Sequence, residues 1–299
     1  MPDETILTAA SGVLPDERAR PVAELAGRTA PTLTTVLRHA SIRRFSSEPL
    51  PDSVLDAMRA ALVRGPTSSA LHSYSHVLVR EPELKSRLAR LAGNQAFIAA
   101  ADLMIVGCVD LRRAGIAVAE QGYAYTAHDP RMLVSATADL TIGLHNASLV
   151  AQSLGYGTVM LGAVLNGSLE IARELGLPER VVPVLGLAAG KPEEADWPAP
   201  RARLPLDLLL HEDGWNLTAD EELARLREHD QDTREQGEYE GRRIAWQAMA
   251  RGGADTVPVG DYGWLEHTAR KQGRPGWGPQ GEKVDSDCRA QGLKVGSTD

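Results

Sequence analysis

Cysteine is scarce in this chain, and long apolar runs are missing. Only Cys108, inside an apolar run, and Cys288, in a polar stretch, occur among 299 residues. Two cysteines so differently placed favour neither a disulfide framework nor a metal cluster, and they fit a reducing cytoplasm. The first residues, 1–4, are acidic and the longest apolar runs are strand-sized, so the sequence predicts neither a signal peptide nor a membrane helix.

The charge balance is acidic. The formal net charge is −8 and the isoelectric point is near 5.6. A protein that binds a phosphate backbone needs a basic surface, so no nucleic-acid partner is predicted. The apolar content of 43% is enough for a substantial buried core, which predicts a globular domain.

Motifs of hydrolytic and metal chemistry are also missing. The chain has no zinc-ligand spacing, no HExxH, no GxSxG and no phosphate-binding Walker loop. Glycines at 155, 157 and 162 depart from the dinucleotide pattern GxGxxG, which argues against a Rossmann domain. An enzyme without such motifs needs a cofactor that carries the chemistry. We therefore predict no metal and look for a cofactor site.

Hydrophobic periodicity predicts alternating strands and helices, the pattern of an α/β or α+β layered domain. We predict helices over 51–65, 82–91, 131–154 and 168–175, and strands over 77–79, 103–109, 159–161 and 181–189. The charged stretch 206–271 is predicted to be a helical excursion, clearest at 221–227 and 240–249, that wraps a neighbour. Residues 1–31 read as an N-terminal extension, 32–273 as the main domain and 274–299 as a flexible tail.

A basic segment, 38–45, precedes the first of these helices. Arg43 can offer a fork of donors to phosphate oxygens, and His39 and Ser41 can complete the shell. A solvated basic turn explains the same residues equally well, because positive clusters are common on surfaces. The residue types alone leave these two alternatives open.

Six short blocks, met in order along the chain, resemble the nitroreductase family. SIRRF at 41–45 with Pro49 behind it resembles the family's opening signature. The other blocks are GPTSSAL (65–71), GNQ (93–95), GYG (155–157) with LGAV (161–164), RLP (203–205) after the GKP turn at 190–192, and RR (242–243) with KQG (271–273). Their spacing resembles the major oxygen-insensitive nitroreductase and flavin reductase P branch, over about 32–273.

The resemblance implies an α+β nitroreductase fold of three layers, α/β/α, in which helices flank a central mixed sheet and two chains form an intertwined homodimer with FMN at the interface. It implies that His39, Ser41, Arg43 and Arg203 hold the phosphate, that Ser68, Ser69 and Leu71 reach the flavin from the partner chain, and that Thr67 also contacts FMN. The remaining FMN contacts that it implies are Ala40, Gln95, Leu161, Gly162, Ala163, Val164 and Arg201.

Two of these assignments have a physical rationale. The amide of Gln95 can donate and accept along the pyrimidine edge of a flavin, and a glycine at 162 lets a backbone N–H approach flavin N5 closely. Simpler explanations stay open: a helix-cap glutamine, a strand-end glycine and, for 67–69, a polar loop after a helix.

The substrate side of the flavin departs from the family pattern. Met160 stands in place of a tyrosine, Ala163 in place of a second glycine and Leu165 in place of a basic residue. His72 and His128 are candidates for the pocket wall, although a lone histidine is more often structural. The resemblance therefore predicts an intact cofactor site and an altered acceptor site.

The implied activity is ping-pong transfer of two electrons from NADPH, with NADH as an alternative donor, to a small acceptor such as a nitroaromatic, a quinone or a flavin. Arg242 and Arg243 resemble the part that meets the nucleotide phosphates. Pairing of these arginines with nearby acids is the other explanation. A flavin reductase that serves a biosynthetic pathway and a non-catalytic flavin-binding protein remain alternatives.

Overall fold

The computed structural model describes residues 4–11, 16–29, 31–193, 198, 201–239, 241–244, 255–273 and 277–295. The chain forms two compact units. The larger unit comprises Pro31–Ala199 and Glu282–Asp299, and the smaller unit comprises Met1–Ala30 and Pro200–Gly281. Each is described separately below.

The larger unit is built on a four-stranded sheet. The strands are β1 Tyr74–Val79, β2 Leu103–Asp110, β3 Gly157–Leu161 and β4 Val181–Gly190, in the order β1-β2-β4-β3. All three strand pairings are antiparallel. An isolated bridge between Ser41 and Thr158 is parallel. The prediction of a mixed sheet is therefore wrong for the named strands of the described residues, which pair only antiparallel.

Helices surround the sheet and make up the smaller unit. In chain order they are α1 Glu4–Ser11, α2 Asp16–Thr29, α3 Pro31–Leu37, α4 Asp52–Leu62, α5 Pro82–Leu91, α6 Ala96–Ala100, α7 Arg112–Glu120, α8 Asp129–Ser153, α9 Ser168–Glu174, α10 Leu206–Leu209, α11 Ala219–Glu235, α12 Trp264–Gln272 and α13 Trp277–Ala290. No helix of the described residues is long and apolar enough to cross a membrane.

The sheet is covered on both faces, which makes the three layers. Side chains alternate along a strand, so Leu103 and Ile105 of β2 pack with α4 and α8 on one face. Met104 and Val106 of β2 pack on the other face with α5, α6 and α9. The predicted α+β class and the α/β/α layering are confirmed.

The helix predicted over 131–154 begins two residues earlier, at Asp129. Pro130 fits there because a first-turn residue has no intrahelical use for its N–H. Asp129 is buried and accepts hydrogen bonds from Arg180, at 2.8 Å, and from the Lys294 N–H, at 2.8 Å. Burial opposes ionisation, but these hydrogen bonds hold the pKa of Asp129 below its ordinary value.

The flexible tail predicted over 274–299 is wrong for residues 282–295. Cys288, Leu293 and Val295 are buried in the core beside α4 and α8, and the Gly292 carbonyl accepts a hydrogen bond from Arg180. Residues 282–295 are mostly polar, but their few apolar residues contact the core. The composition alone therefore predicted a flexible tail. Residues 274–276 and 296–299 lie outside the described residues.

Two other predictions concern segments at the chain ends and in the excursion. The N-terminal extension contains helices α1 and α2.

The helix predicted over 240–249 is absent at 241–244, where the chain is irregular and Gly241 has φ +72°, a conformation that interrupts a helix. The other residues of that prediction, 240 and 245–249, lie outside the described part.

His76 of β1 is a buried titratable group. Neither ring nitrogen meets a hydrogen-bond partner among the described residues, and the ring packs 5.3 Å from the ring of Tyr74. Gly143 of α8 leaves room for it, because a Cβ atom there would lie 3.2 Å from His76 Nε2. Burial lowers the pKa of His76 to about 4. The imidazole is therefore neutral in the folded chain.

We predict that His76 makes folding stability depend on pH. The unfolded chain binds a proton near pH 6.5 while the folded chain does not, so the free energy of unfolding falls as the pH drops from about 6.5 towards 4. The slope from this group is up to about 1.4 kcal/mol per pH unit. Urea unfolding at several pH values should show this contribution to the slope in wild type and not in His76→Leu. His145→Gln, at an exposed position, is the control. An unchanged slope in His76→Leu contradicts the assignment.

Candidate functional site

The basic segment lies along the edge of the sheet. The Ile42 N–H donates to the Thr158 carbonyl at 2.9 Å, and Phe45 forms a bridge with Pro192 beyond the end of β4. Gly157 permits this contact, since a Cβ atom there would lie 2.6 Å from Ile42 Cγ2. The segment is therefore a fixed part of the sheet edge and not a free basic turn.

His39 and Arg43 are each held by a neighbour. His39 Nδ1 lies 3.0 Å from Oε1 of Gln152, near the end of α8. The exposed guanidinium of Arg43 lies 5.8 Å from the ring centroid of Phe97 on α6, a cation–π distance. Between them Ala40 is buried and Ser41 is half-buried. This stretch thus presents a cation, a hydroxyl and an imidazole from one short piece of chain.

The GNQ turn lies beside the LGAV loop. Gly93 has φ +82° and sits between Gln95 and Ala163, because a Cβ atom at Gly93 would lie 3.4 Å from Gln95 Nε2 and 3.5 Å from Ala163 Cβ. Gln95 precedes α6 and donates to the Ala92 carbonyl at 3.1 Å. Since Phe97 of α6 meets Arg43, three of the predicted blocks converge around the start of α6.

The LGAV loop begins a short 3-10 turn, Gly162–Gly167. Leu161 and Val164 are buried in the core, whereas Gly162 is exposed. A Cβ atom at Gly162 would meet no protein atom within 4 Å. Packing within the protein therefore gives no reason for a glycine here, and open space lies over this backbone.

The Ser-rich loop is held by α8. The Ser68 N–H donates to both carboxylate oxygens of Asp139 at 3.0 Å. Ser69 and Ala70 have φ of 51° and 54°, a left-handed conformation that costs free energy in residues other than glycine. Thr67 is half-buried, and Ser68, Ser69 and Leu71 are exposed. The loop presents these side chains outward.

The remaining candidates are spread along the chain. Arg201 and Arg203 are exposed residues of the smaller unit, where Arg203 donates to the Arg201 carbonyl at 3.1 Å. His72 is exposed with φ +47°, and His128 is exposed just before α8. Leu165, like Met160 of β3, packs against the core.

The two candidate nucleotide arginines differ in environment. Arg243 donates to Asp255, at 2.8 Å, and to the Val257 carbonyl, at 2.6 Å. Arg270, whose side chain is 1% exposed, also pairs with Asp255 at 2.8 Å. Hydrogen bonds from Arg270 and then Arg243 hold the pKa of Asp255 well below its usual range. Arg243 therefore has a structural partner, whereas Arg242 is exposed.

Sequence reasoning missed the polar residues of α8 that hold the site. Asp139 and Gln152 are buried and meet the Ser-rich loop and His39. A signal was present for Asp139, because it is one of the few charged residues in this long helix. Among the described residues no cluster of metal-ligating side chains occurs.

Comparisons with known proteins agree with this fold. The model of the nitroreductase family matches residues 36–191, which is more than half of the chain, so this protein belongs to the nitroreductase family. It is 31% identical over 192 residues to an FMN reductase (NADPH) of Bacillus subtilis, a match that covers 64% of this chain and 76% of that protein.

Two solved structures are similar over most of this chain. The hypothetical oxidoreductase YcnD from Bacillus subtilis superposes with a TM-score of 0.76 at 26% identity, covering 89% of this chain and 99% of that one. The NADPH:FMN oxidoreductase from Vibrio harveyi complexed with NAD+ gives a TM-score of 0.68 at 25% identity, covering 86% and 97%.

We predict that alanine is tolerated at Gly162 and not at Gly157. At Gly157 the added Cβ meets Ile42 and must displace the basic segment, and such overpacking costs about 1–3 kcal/mol. At Gly162 the space is open. Thermal unfolding of the protein without added cofactor should show a lower melting temperature for Gly157→Ala and a near-unchanged one for Gly162→Ala. Equal shifts in the two variants would mean that the Ile42 contact does not hold the segment.

Proposed function

We propose that this protein is an FMN-dependent oxidoreductase that takes two electrons from NADPH and passes them to a small electron-poor acceptor. The observation that carries the proposal is the meeting of the basic segment, the GNQ turn and the LGAV loop around α6, beside the open space over Gly162. The names of the relatives support it, since they are FMN reductases and NADPH-flavin oxidoreductases.

The residues fit FMN. His39, Ser41 and Arg43 offer donors and positive charge for the phosphate. Gln95 offers an amide for the pyrimidine edge. Gly162 leaves its backbone open to close approach by a planar ring. Ala40, Leu161, Ala163 and Val164 complete the proposed lining from the same segments.

FMN supplies the redox chemistry when it is bound, because its ring accepts a hydride and passes on two electrons. The protein holds and orients, and its fixed donors stabilise negative charge at the pyrimidine edge. We propose that the nicotinamide and the acceptor use one pocket in turn, which is a ping-pong order. Thr67, Ser68, Ser69 and Leu71 belong to this proposal as contacts from a partner chain.

A homodimer is part of the proposal. Apolar side chains are exposed at Val63 after α4, at Leu71 in the Ser-rich loop and at Val134 on α8, which is 72% exposed. Exposed apolar residues on neighbouring elements are typical of a surface that a second chain covers. Light scattering at micromolar concentration should give about twice the chain mass of 32.1 kDa. A monomer that binds FMN would overturn this part.

We predict that the protein binds FMN and that Arg43→Ala weakens binding. A charge-assisted hydrogen bond to phosphate is worth about 1.5–3 kcal/mol, so the FMN dissociation constant should rise roughly tenfold or more. Quenching of flavin fluorescence during a titration measures it. Arg59→Ala is the control, because Arg59 forms an exposed ion pair with Asp56 on α4. A wild type that takes up no FMN would sink the proposed function.

The physiological acceptor requires a direct comparison. A relative named FMN reductase favours free flavin as the acceptor, and the family name favours nitroaromatics. Steady-state rates with free FMN, a nitroaromatic and a quinone at equal NADPH separate these two activities. FMN binding without NADPH oxidation for any acceptor would instead indicate a non-catalytic flavin-binding protein.

We predict that Arg242, and not Arg243, discriminates NADPH from NADH. Arg242 is exposed and can meet the 2′-phosphate, whereas Arg243 is engaged by Asp255. One charge-assisted contact corresponds to about a tenfold preference for NADPH. Arg242→Ala should lower kcat/KM for NADPH about tenfold and leave NADH nearly unchanged.

Arg243→Ala is the matched comparison. It should lower the melting temperature, because it leaves Asp255 with one fewer partner, and it should reduce kcat/KM for both donors by similar factors. Selective loss of NADPH activity in Arg243→Ala, or a wild type that prefers NADH, would contradict this assignment.

A further inference from the structure

A buried chain of polar side chains connects His39 to the sheet. Gln152 Nε2 lies 2.7 Å from Ser148 Oγ and 2.9 Å from Thr158 Oγ1, and the two hydroxyl oxygens are 2.6 Å apart. Gln152 is 8% exposed, Ser148 2% and Thr158 0%. Buried polar groups normally have all their hydrogen-bond partners, and here each of the three satisfies the other two.

The network fixes which way the Gln152 amide points. One hydroxyl must donate to the other across the 2.6 Å contact, so only one hydroxyl proton is left. A reversed amide would need both hydroxyls to donate to its oxygen, and one contact would lack a proton. The amide nitrogen therefore faces Ser148 and Thr158, and the oxygen faces His39 Nδ1 at 3.0 Å.

An amide oxygen only accepts, so the facing ring nitrogen of His39 must carry a proton. We propose that Gln152, held by Ser148 and Thr158, is a positioning residue that keeps the proton of His39 on Nδ1 and leaves Nε2 as the ring atom for a phosphate. The second half of this proposal rests on the proposed FMN site. When the ring carries both protons, Nε2 donates to an anion while Nδ1 still donates to Gln152.

The network contacts the basic segment as well as His39, so its residues do more than fill space. Thr158 also holds the basic segment, because its carbonyl accepts the Ile42 N–H at 2.9 Å. The same residue of β3 therefore sets the backbone next to His39 and, through Gln152, the orientation of the ring. Fixed donors of this kind lose less entropy when an anion binds.

The test reads the proton on His39 directly. Long-range proton–nitrogen NMR of protein labelled with ¹⁵N-histidine distinguishes Nδ1–H from Nε2–H rings, at a pH where the ring is neutral, and His39→Gln identifies the signal. Wild type should show Nδ1–H, although free imidazoles favour Nε2–H. Gln152→Leu should return His39 to Nε2–H and raise the FMN dissociation constant about tenfold. Gln152→Glu keeps an acceptor beside Nδ1 and should keep the Nδ1–H ring, but it lacks the amide donors to Ser148 and Thr158 and adds a negative charge, so it should not restore the FMN affinity.

Circular dichroism and thermal melting establish that each variant is folded. If Gln152→Leu does not fold, the position of the His39 proton in wild type and in Gln152→Glu decides. A proton on Nδ1 in both proteins supports the proposal, and a proton on Nε2 alone in either protein overturns it. A folded Gln152→Leu with the Nδ1–H ring and unchanged FMN affinity also overturns it. Because the proton is read without FMN, a wild type with the Nδ1–H ring that binds no FMN would contradict the proposed function and leave the positioning of His39 supported.

Discussion

The candidate site depends on the pairing of the basic segment with β3. The outer edge of this strand is free of other strands in the sheet, and Ser41 and Ile42 fill it through Thr158. An exposed strand edge is otherwise a row of unpaired donors and acceptors. Because this pairing sets the register of the basic segment, it also determines where the side chains of His39 and Arg43 lie at the sheet edge.

This pairing explains a requirement that extends beyond the site. Gly157 and Gly190 are the residues where β3 and β4 pair at this end of the sheet, and each lies against an apolar residue of the basic segment, Ile42 or Phe45. Two glycines in adjacent strands thus make a shallow seat for the segment. Backbone and apolar contacts at Thr158, Ile42 and Phe45 thus seat the segment and fix where His39 and Arg43 lie at the sheet edge.

The sequence predicted the four strands and the helices α4, α5, α8 and α9, because these depend on local periodicity, but it did not predict α3, α6 or α7. β2 appears as an uninterrupted apolar run, and it is the strand buried on both faces. The blocks of the site were predicted as well, since each is a short local pattern. Gln95 and Ala163 both lie beside Gly93. Only the resemblance places both at one flavin, because packing and no local pattern brings residues 95 and 163 together.

Long-range partners account for what the sequence did not predict. The ion pair of Arg243 joins it to a residue twelve positions later, and Arg270 makes the same carboxylate bridge from α12. Nothing in the letters RR distinguishes this from a free pair of arginines. The burial of Cys288 and Leu293 was hidden for a similar reason, since their apolar partners belong to α4, α8 and the sheet.

The helix α8 shows how an element with few charged residues can still position a polar site. Its buried polar residues each fasten a different segment: Asp129 holds Arg180 and the backbone of Lys294, Asp139 holds Ser68, and Gln152 holds His39. Residues 129 and 152 are roughly 34 Å apart along a helix, at about 1.5 Å per residue. One rigid helix therefore fixes the positions of the C-terminal segment, the Ser-rich loop and the basic segment relative to one another. Each buried polar residue costs free energy unless it is paired, so its partner loop is held wherever the helix is formed.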